Sequence, residues 1–194
     1  MKIVLTGFMG AGKSATGKIL ARKLNLEFID TDSIIEERAG QSIKKIFSLQ
    51  GETFFRSLEK KMIAGVAEKD GVVIAAGGGA ILDPANRKNL KKNGTIIFLM
   101  VSPGEIRKRV AGDASRPLLN APPKVGAPFM APAGSTRLRQ GHVGRVNRTP
   151  TKEKTIKNLL SQRLPLYRKA DICVDTDGKT PREVAEEIIE RLKL

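Results

Sequence analysis

Apolar residues recur along this 194-residue chain in two alternating rhythms. Short runs at Ile3–Thr6, Glu27–Ile29, Val72–Ala76, Thr95–Val101 and Asp171–Val174 have the length and composition of buried strands. Between them lie segments whose apolar positions fall three and four apart. In Lys13–Leu24, for example, Ile19, Leu20 and Leu24 share one side. The same spacing predicts helices at Ile34–Leu49, Phe54–Glu68, Asp83–Lys91, Pro103–Ala111, Ile156–Tyr167 and Thr180–Leu194. Pro84, Pro103 and Pro181 stand in first turns, where a missing N–H costs nothing. Pro165 must bend or end its helix. Strands alternating with helices predict an α/β fold, a five-stranded parallel sheet with helices on both faces. Crossovers should be right-handed.

The first strand runs directly into Gly7-Phe8-Met9-Gly10-Ala11-Gly12-Lys13-Ser14, which fits G-x-x-x-x-G-K-[ST]. By chance these fixed positions would occur in a chain this long roughly 1% of the time, and the strand before and helix after narrow that further. The physics is specific. Glycines let backbone N–H groups converge on phosphate oxygens with no Cβ in the way, and the following helix adds its positive N-terminal end. Lys13 can reach the outer phosphates and the Ser14 hydroxyl can ligate Mg²⁺. The chain is therefore expected to bind a nucleoside triphosphate, with Gly10, Ala11, Gly12, Lys13, Ser14 and Ala15 as the phosphate cradle.

Many phosphate-loop proteins hold Mg²⁺ with an Asp at the end of another strand. The run Val72–Ala76 ends instead in Gly77-Gly78-Gly79, without an acid. The carboxylates stand at Asp30 and Asp32, after the second strand. Ligands of open α/β sheets bind beyond the carboxyl ends of the strands, so both belong to the rim that carries the phosphate loop. One could hold Mg²⁺, through water, while the other binds an acceptor hydroxyl and takes its proton. A plainer role also exists for Asp32, which precedes Ser33 and a helix and could cap it.

Composition narrows the partners. Net charge is +15, from 35 basic and 20 acidic residues, which suits anionic ligands or a solvated basic surface. A single cysteine, Cys173, excludes an internal disulfide framework; its apolar surroundings read as a buried, inert thiol. His142 is the only histidine and stands without a ligand cluster. No apolar run approaches the ~20 residues of a membrane-spanning helix, so a cytoplasmic protein is expected, with no membrane partner. One stretch breaks the pattern: residues 121–150 hold five prolines, four glycines and five basic residues, with no acid.

Taken in order, the motifs resemble shikimate kinase. The resemblance rests on the phosphate loop, Phe28-Ile29-Asp30-Thr31-Asp32, Ile46-Phe47, Gly51-Glu52 and Phe54-Phe55-Arg56-Ser57-Leu58-Glu59. It continues through Gly77-Gly78-Gly79 and Arg116-Pro117-Leu118-Leu119 to Arg163-Leu164-Pro165-Leu166-Tyr167. It implies MgATP-dependent phosphorylation of the 3-hydroxyl of shikimate, on the route to aromatic amino acids. It further implies one kinase domain over residues 1–194, a substrate-binding helical region at about 32–60 and a mobile lid at about 112–150. By the same resemblance Asp32 contacts substrate hydroxyls and Asp30 supports the metal beside Ser14. Arg56 and Arg163 clamp the substrate carboxylate, and Gly77, Gly78 and Gly79 approach the substrate. Arg116 reaches the transferring phosphate, and Arg109 and Pro181 flank the adenine. Lys13, Asp32 and Arg116 are the expected catalytic residues. A monomer without a nucleic-acid partner is expected.

These assignments agree with elementary chemistry: guanidinium forks match carboxylates, and phosphoryl transfer needs positioning and charge neutralisation. Plainer readings stand beside them. Arg56 and Glu59, three apart on a helix, could simply pair on its surface, and Phe47 and Phe55 could be core. A gluconate kinase is the competing enzyme; a kinase-like nucleotide or polyanion binder with an impaired lid is the non-catalytic alternative. The sequence departs from the family pattern in two places. A basic insert occupies 121–148 inside the lid, read as a tolerated or aberrant insertion rather than a regulatory or nucleic-acid-binding arm; lengthening a flexible loop costs only ~0.6 kcal/mol per doubling. Ala75-Ala76 also replaces a hydroxyl residue that could support the metal shell.

Overall fold

The structure, a computed structural model, describes residues 1–110 and 152–194. Arg116, His142, the expected lid and its insert at 121–148 lie outside the described residues. Five strands form one parallel sheet in the order β2-β3-β1-β4-β5. They are β1 (Lys2–Gly7), β2 (Glu27–Asp30), β3 (Val72–Ala75), β4 (Gly94–Met100) and β5 (Ile172–Asp175). The helices are α1 (Lys13–Leu24), α2 (Thr31–Ala39), α3 (Ile43–Val66), α4 (Pro84–Lys91), α5 (Pro103–Val110), α6 (Lys152–Tyr167) and α7 (Pro181–Leu192). A 3₁₀ turn at Ala80–Leu82 follows β3.

The sheet sorts the core by the two-residue period of a strand. On β1, Ile3 and Leu5 point to one face and Val4 to the other. The Ile3 face meets Leu20 and Ala21 of α1, Ile106 of α5, Tyr167 of α6, and Val184 and Ile188 of α7. The Val4 face meets Ile35 of α2, Ile46, Met62 and Ile63 of α3, and Leu90 of α4. Each fully buried Leu or Ile contributes about 1.5–3 kcal/mol relative to exposure, so β1, buried at every position, is the spine. Gly17 lets α1 settle on β2: a Cβ there would fall 2.5 Å from the Phe28 ring.

Expected and observed boundaries agree within a few residues except between Ile34 and Glu68. The chain breaks at Gly40–Ser42, not after Leu49. Gly40 closes α2 in the left-handed conformation, and the Ser42 hydroxyl caps α3 by accepting from Lys45 N–H. Helix α3 then runs to Val66 with a kink at Gly51, whose φ of 81° is non-helical. α6 continues through Pro165 and ends two residues later. Cys173 is half-buried rather than buried. No helix among the described residues is long and apolar enough to cross a membrane.

Candidate active site

The strand order leaves a crevice where the chain crosses from one side of β1 to the other, beyond the carboxyl ends of β1, β2 and β3. A cavity of about 600 Å³ opens there. Its floor is the turn from β1 into α1. Gly12 precedes α1 with φ 86°, a left-handed conformation that a side chain would strain, and no side chain caps the helix. The first N–H groups of α1 are thus left for a ligand. The Lys13 ammonium lies back over the loop, donating to Gly7 O at 2.9 Å and Phe8 O at 3.1 Å.

Asp30 ends β2 and divides its two oxygens. Oδ1 caps α2, accepting from Asp32 N–H at 3.1 Å and Ser33 N–H at 3.4 Å. Oδ2 accepts from the Ser14 hydroxyl at 2.6 Å. The capping residue is therefore Asp30 and not Asp32, which leaves Asp32 in the first turn lining the cavity. A hydroxyl and a carboxylate oxygen in contact beside Lys13 form a hard oxygen pair of the kind Mg²⁺ selects. Thr31 between the two acids is fully buried; its hydroxyl donates to Ala75 O at 3.3 Å and accepts from Gly77 N–H at 3.0 Å. That bridge ties the start of α2 to the glycine turn after β3.

The glycine turn brings the remaining groups together. A Cβ on Gly77 would lie 2.6 Å from Asp32 Oδ1 and 2.8 Å from Glu59 Oε1, and one on Gly79 would collide with the Arg56 guanidinium. Arg163, on α6, donates from Nη1 to Gly78 O at 3.3 Å and stacks over Phe8 at 5.5 Å. Arg56 is held by Glu52 at 3.1 Å and Glu59 at 2.7 Å. The Arg56–Glu59 pair is thus no surface pair, since Glu59 is only 1% exposed. Phe47 and Phe55 pack at 4.8 Å between ring centres and line the same cavity, so they serve core and site at once.

Burial pushes the Glu59 carboxyl above its ordinary value of 4.5; Arg56 opposes the shift and Asp32 adds to it. Burial works to lower the Arg56 pKa, but Glu59 and Glu52 raise it overall. For Glu59 the folded state then holds a proton that the unfolded chain has released, over the window above 4.5. Its contribution to stability falls as pH rises through that window. Glu59→Gln removes the titration, so the melting temperature of the variant relative to the wild type should climb with pH there. Thermal melts of both proteins across that range check this, and a pH-independent difference would contradict it.

A second cavity of about 410 Å³ adjoins the outer side of the phosphate loop, lined by Gly12, Thr16, Arg109, Thr176, Thr180 and Pro181 among others. Arg109 spans it, donating to Gly10 O at 3.3 Å and Thr176 O at 2.7 Å and pairing with Glu105 at 3.0 Å. Arg109 and Pro181 therefore stand on one cavity beside the loop.

Comparison with known proteins addresses which kinase this rim belongs to. The family model for shikimate kinase matches residues 9–193. The chain belongs to the shikimate kinase family. Shikimate kinase of Thermodesulfovibrio yellowstonii is 42% identical over 187 residues, 96% of this chain and 92% of that protein. That of Moorella thermoacetica is 43% identical over 191 residues, 98% of this chain and 94% of that protein. Among solved structures, shikimate kinase from Acinetobacter baumannii in complex with shikimate superposes with a TM-score of 0.81 at 31% identity. That superposition covers 99% of this chain and 92% of the other. The chain is accordingly an ATP-dependent phosphotransferase with shikimate kinase activity, and the gluconate kinase alternative falls away.

Within this shikimate kinase fold, the expected residues that are described fall into two adjoining groups. Gly10, Gly12, Lys13, Ser14, Ala15, Asp30, Asp32, Arg56, Gly78, Gly79 and Arg163 share the large cavity, with Gly77 behind Asp32. Arg109 and Pro181 share the smaller one with Ala11, which was expected in the phosphate cradle and does not line the large cavity. Three contributors were not anticipated: the Thr31 bridge, the depth of Glu59, and Tyr167, whose hydroxyl donates to Gly78 O. Thr31, a hydroxyl between two acids, was the available signal for the first.

Proposed function

We propose that the chain transfers the γ-phosphoryl group of ATP to the 3-hydroxyl of shikimate, using Asp32 as the base and Arg56 with Arg163 as the carboxylate clamp. The observation that carries this reading is the glycine turn: within one cavity it meets Asp32, Arg56 and Arg163, beside the phosphate loop. A ligand with a carboxylate at one end and hydroxyls at the other fits that polarity. The guanidinium groups take the carboxylate, and Asp32, in the same cavity, takes the hydroxyl. The Asp32 carboxylate accepts the hydroxyl proton as the oxygen attacks phosphorus. Lys13 leaves its loop carbonyls to meet the outer phosphates.

Ser14 and Asp30 would hold Mg²⁺, Asp30 through water. When bound, the ion neutralises phosphate charge. Arg109 and Pro181 would flank the adenine of ATP. The assignment of Arg116 to the transferring phosphate rests on its Arg-Pro-Leu-Leu motif, as does the division into substrate helices at about 32–60 and a lid at about 112–150. A cytoplasmic site of action suits a kinase that draws on cellular ATP.

The test is ADP release by the full chain with shikimate, with gluconate and with no acceptor. ADP should appear with shikimate at a rate at least about 10²-fold above the other two, the scale on which a positioned acceptor outcompetes solvent water. Equal rates with and without shikimate would overturn the reading.

A further inference from the structure

We propose that Tyr167 is a positioning residue of the shikimate site, holding the Gly78 carbonyl so that Arg163 is free to engage the substrate carboxylate. The inference rests on the reading of Arg163 as part of the carboxylate clamp. Tyr167 and Arg163 lie four residues apart on α6, one helical turn, and so present one face. Both reach the same atom: the Tyr167 hydroxyl and Arg163 Nη1 each donate to Gly78 O. Gly78 in turn lies next to the phosphate loop, for a Cβ there would make ordinary contacts of 3.5 Å with Gly7 O and 3.6 Å with Met9 N. One carbonyl thus joins α6 to the glycine turn.

The surroundings say what the hydroxyl is for. The ring is fully buried and stacks on Phe98 of β4 at 4.9 Å and 12°. A phenylalanine would fill that space as well, and burying a hydroxyl is costly unless it is paired. What tyrosine adds to the packing is a hydroxyl that donates to one carbonyl and meets the Arg163 guanidinium beside it. Burial also pushes the phenol pKa up, which keeps it a donor. A carbonyl oxygen has two lone pairs. With Tyr167 occupying one, the longer Arg163 bond at 3.3 Å is the weaker partner and can be shared with an incoming carboxylate. Without the hydroxyl, the Arg163 guanidinium would be the anchor left to Gly78 O on α6 and would be held there instead of being shared with the substrate.

Tyr167→Phe keeps the ring and removes only the hydroxyl, with its bond to Gly78 O and its contact with Arg163. The expected result is a KM for shikimate raised about tenfold, the scale of one lost hydrogen bond, with KM for ATP unchanged. Combined with Arg163→Lys, the effects should be less than additive, since both act through Gly78 O. The chain offers a second readout that needs no substitution: Tyr167 is its only tyrosine and it has no tryptophan. Tyrosine emission of the wild type should therefore change on titration with shikimate, with a midpoint matching that of turnover. A Tyr167→Phe enzyme that melts lower but keeps its shikimate KM would reduce the residue to packing and overturn the inference. So would tyrosine emission that ignores shikimate, even if the variant does not fold. Arg163→Lys with an unchanged shikimate KM would instead strike down the clamp on which the inference rests.

Discussion

Asp32→Asn is expected to lower kcat about 10²- to 10⁴-fold, the range for a general base, while the Kd for ATP stays where it was. Asn has the same shape and keeps the first turn of α2, whose cap is Asp30 and not Asp32. What it cannot do is accept a proton. The carboxylate faces the cavity close enough to Gly77 that a methyl group there would lie 2.6 Å from Oδ1, so its oxygen is set within the crevice instead of sampling solvent. The ATP contacts proposed above come from the loop between Gly7 and Ser14, after another strand, and from Arg109 and Pro181, and should not register the change. Steady-state turnover with shikimate, beside calorimetric titration with a non-hydrolysable ATP analogue, measures both quantities. A variant within about threefold of wild-type kcat, against the several orders expected of a lost base, would remove Asp32 from the chemistry. The same experiment on Asp30→Asn would read differently, because Asp30 caps α2 and bonds Ser14; losing stability as well as rate separates its role from that of Asp32.

Most of this architecture was legible along the chain because each part is set locally. Continuous apolar runs make strands that can only be buried on both faces, which is why β1, β3 and β4 stood out. The phosphate loop was legible because its glycines are demanded by backbone geometry. Asp30, Asp32 and the triple glycine were placed at one rim because parallel strands all point their carboxyl ends the same way. What escaped is tertiary. The break between α2 and α3 was hidden by apolar spacing that runs on past Gly40, while Gly51, which looked like the end of a helix, is only a kink within one. Periodicity treats Glu59 as surface; its burial depends on Arg56 answering it and on Gly77 approaching from β3. The cap fell to Asp30 because β2 ends one residue later than its apolar run, leaving Asp30 extended at φ −106°. Tyr167 meets a carbonyl 89 residues away, which no local pattern encodes.

Gly77→Ala should be nearly as damaging as loss of the base, for a purely steric reason. The added methyl would stand 2.6 Å from Asp32 Oδ1 and 2.8 Å from Glu59 Oε1, inside any real contact distance. Neither neighbour can step aside cheaply. Glu59 is buried and paired with Arg56; Asp32 is a short side chain at the start of a helix; and the Gly77 N–H is fastened to the Thr31 hydroxyl at 3.0 Å. The outcome is a shift of the glycine turn or of the carboxylate by something near an ångström, and a misplacement of that size costs on the order of 10²-fold in rate. The loss should appear in kcat/KM for shikimate, with ATP binding spared. Stability should fall too, because Gly77 is buried and its neighbours Ala76 and Ala80 belong to the core, so rates are compared at a temperature where the melts show both variants folded. Gly65→Ala in α3 is the matched control: nothing lies within 4 Å of a Cβ there, and an interior helix position should gain about 1 kcal/mol. Paired melts and initial rates decide the matter. If Gly77→Ala turns over shikimate as fast as Gly65→Ala, the glycine is not there to leave room for the Asp32 and Glu59 carboxylates.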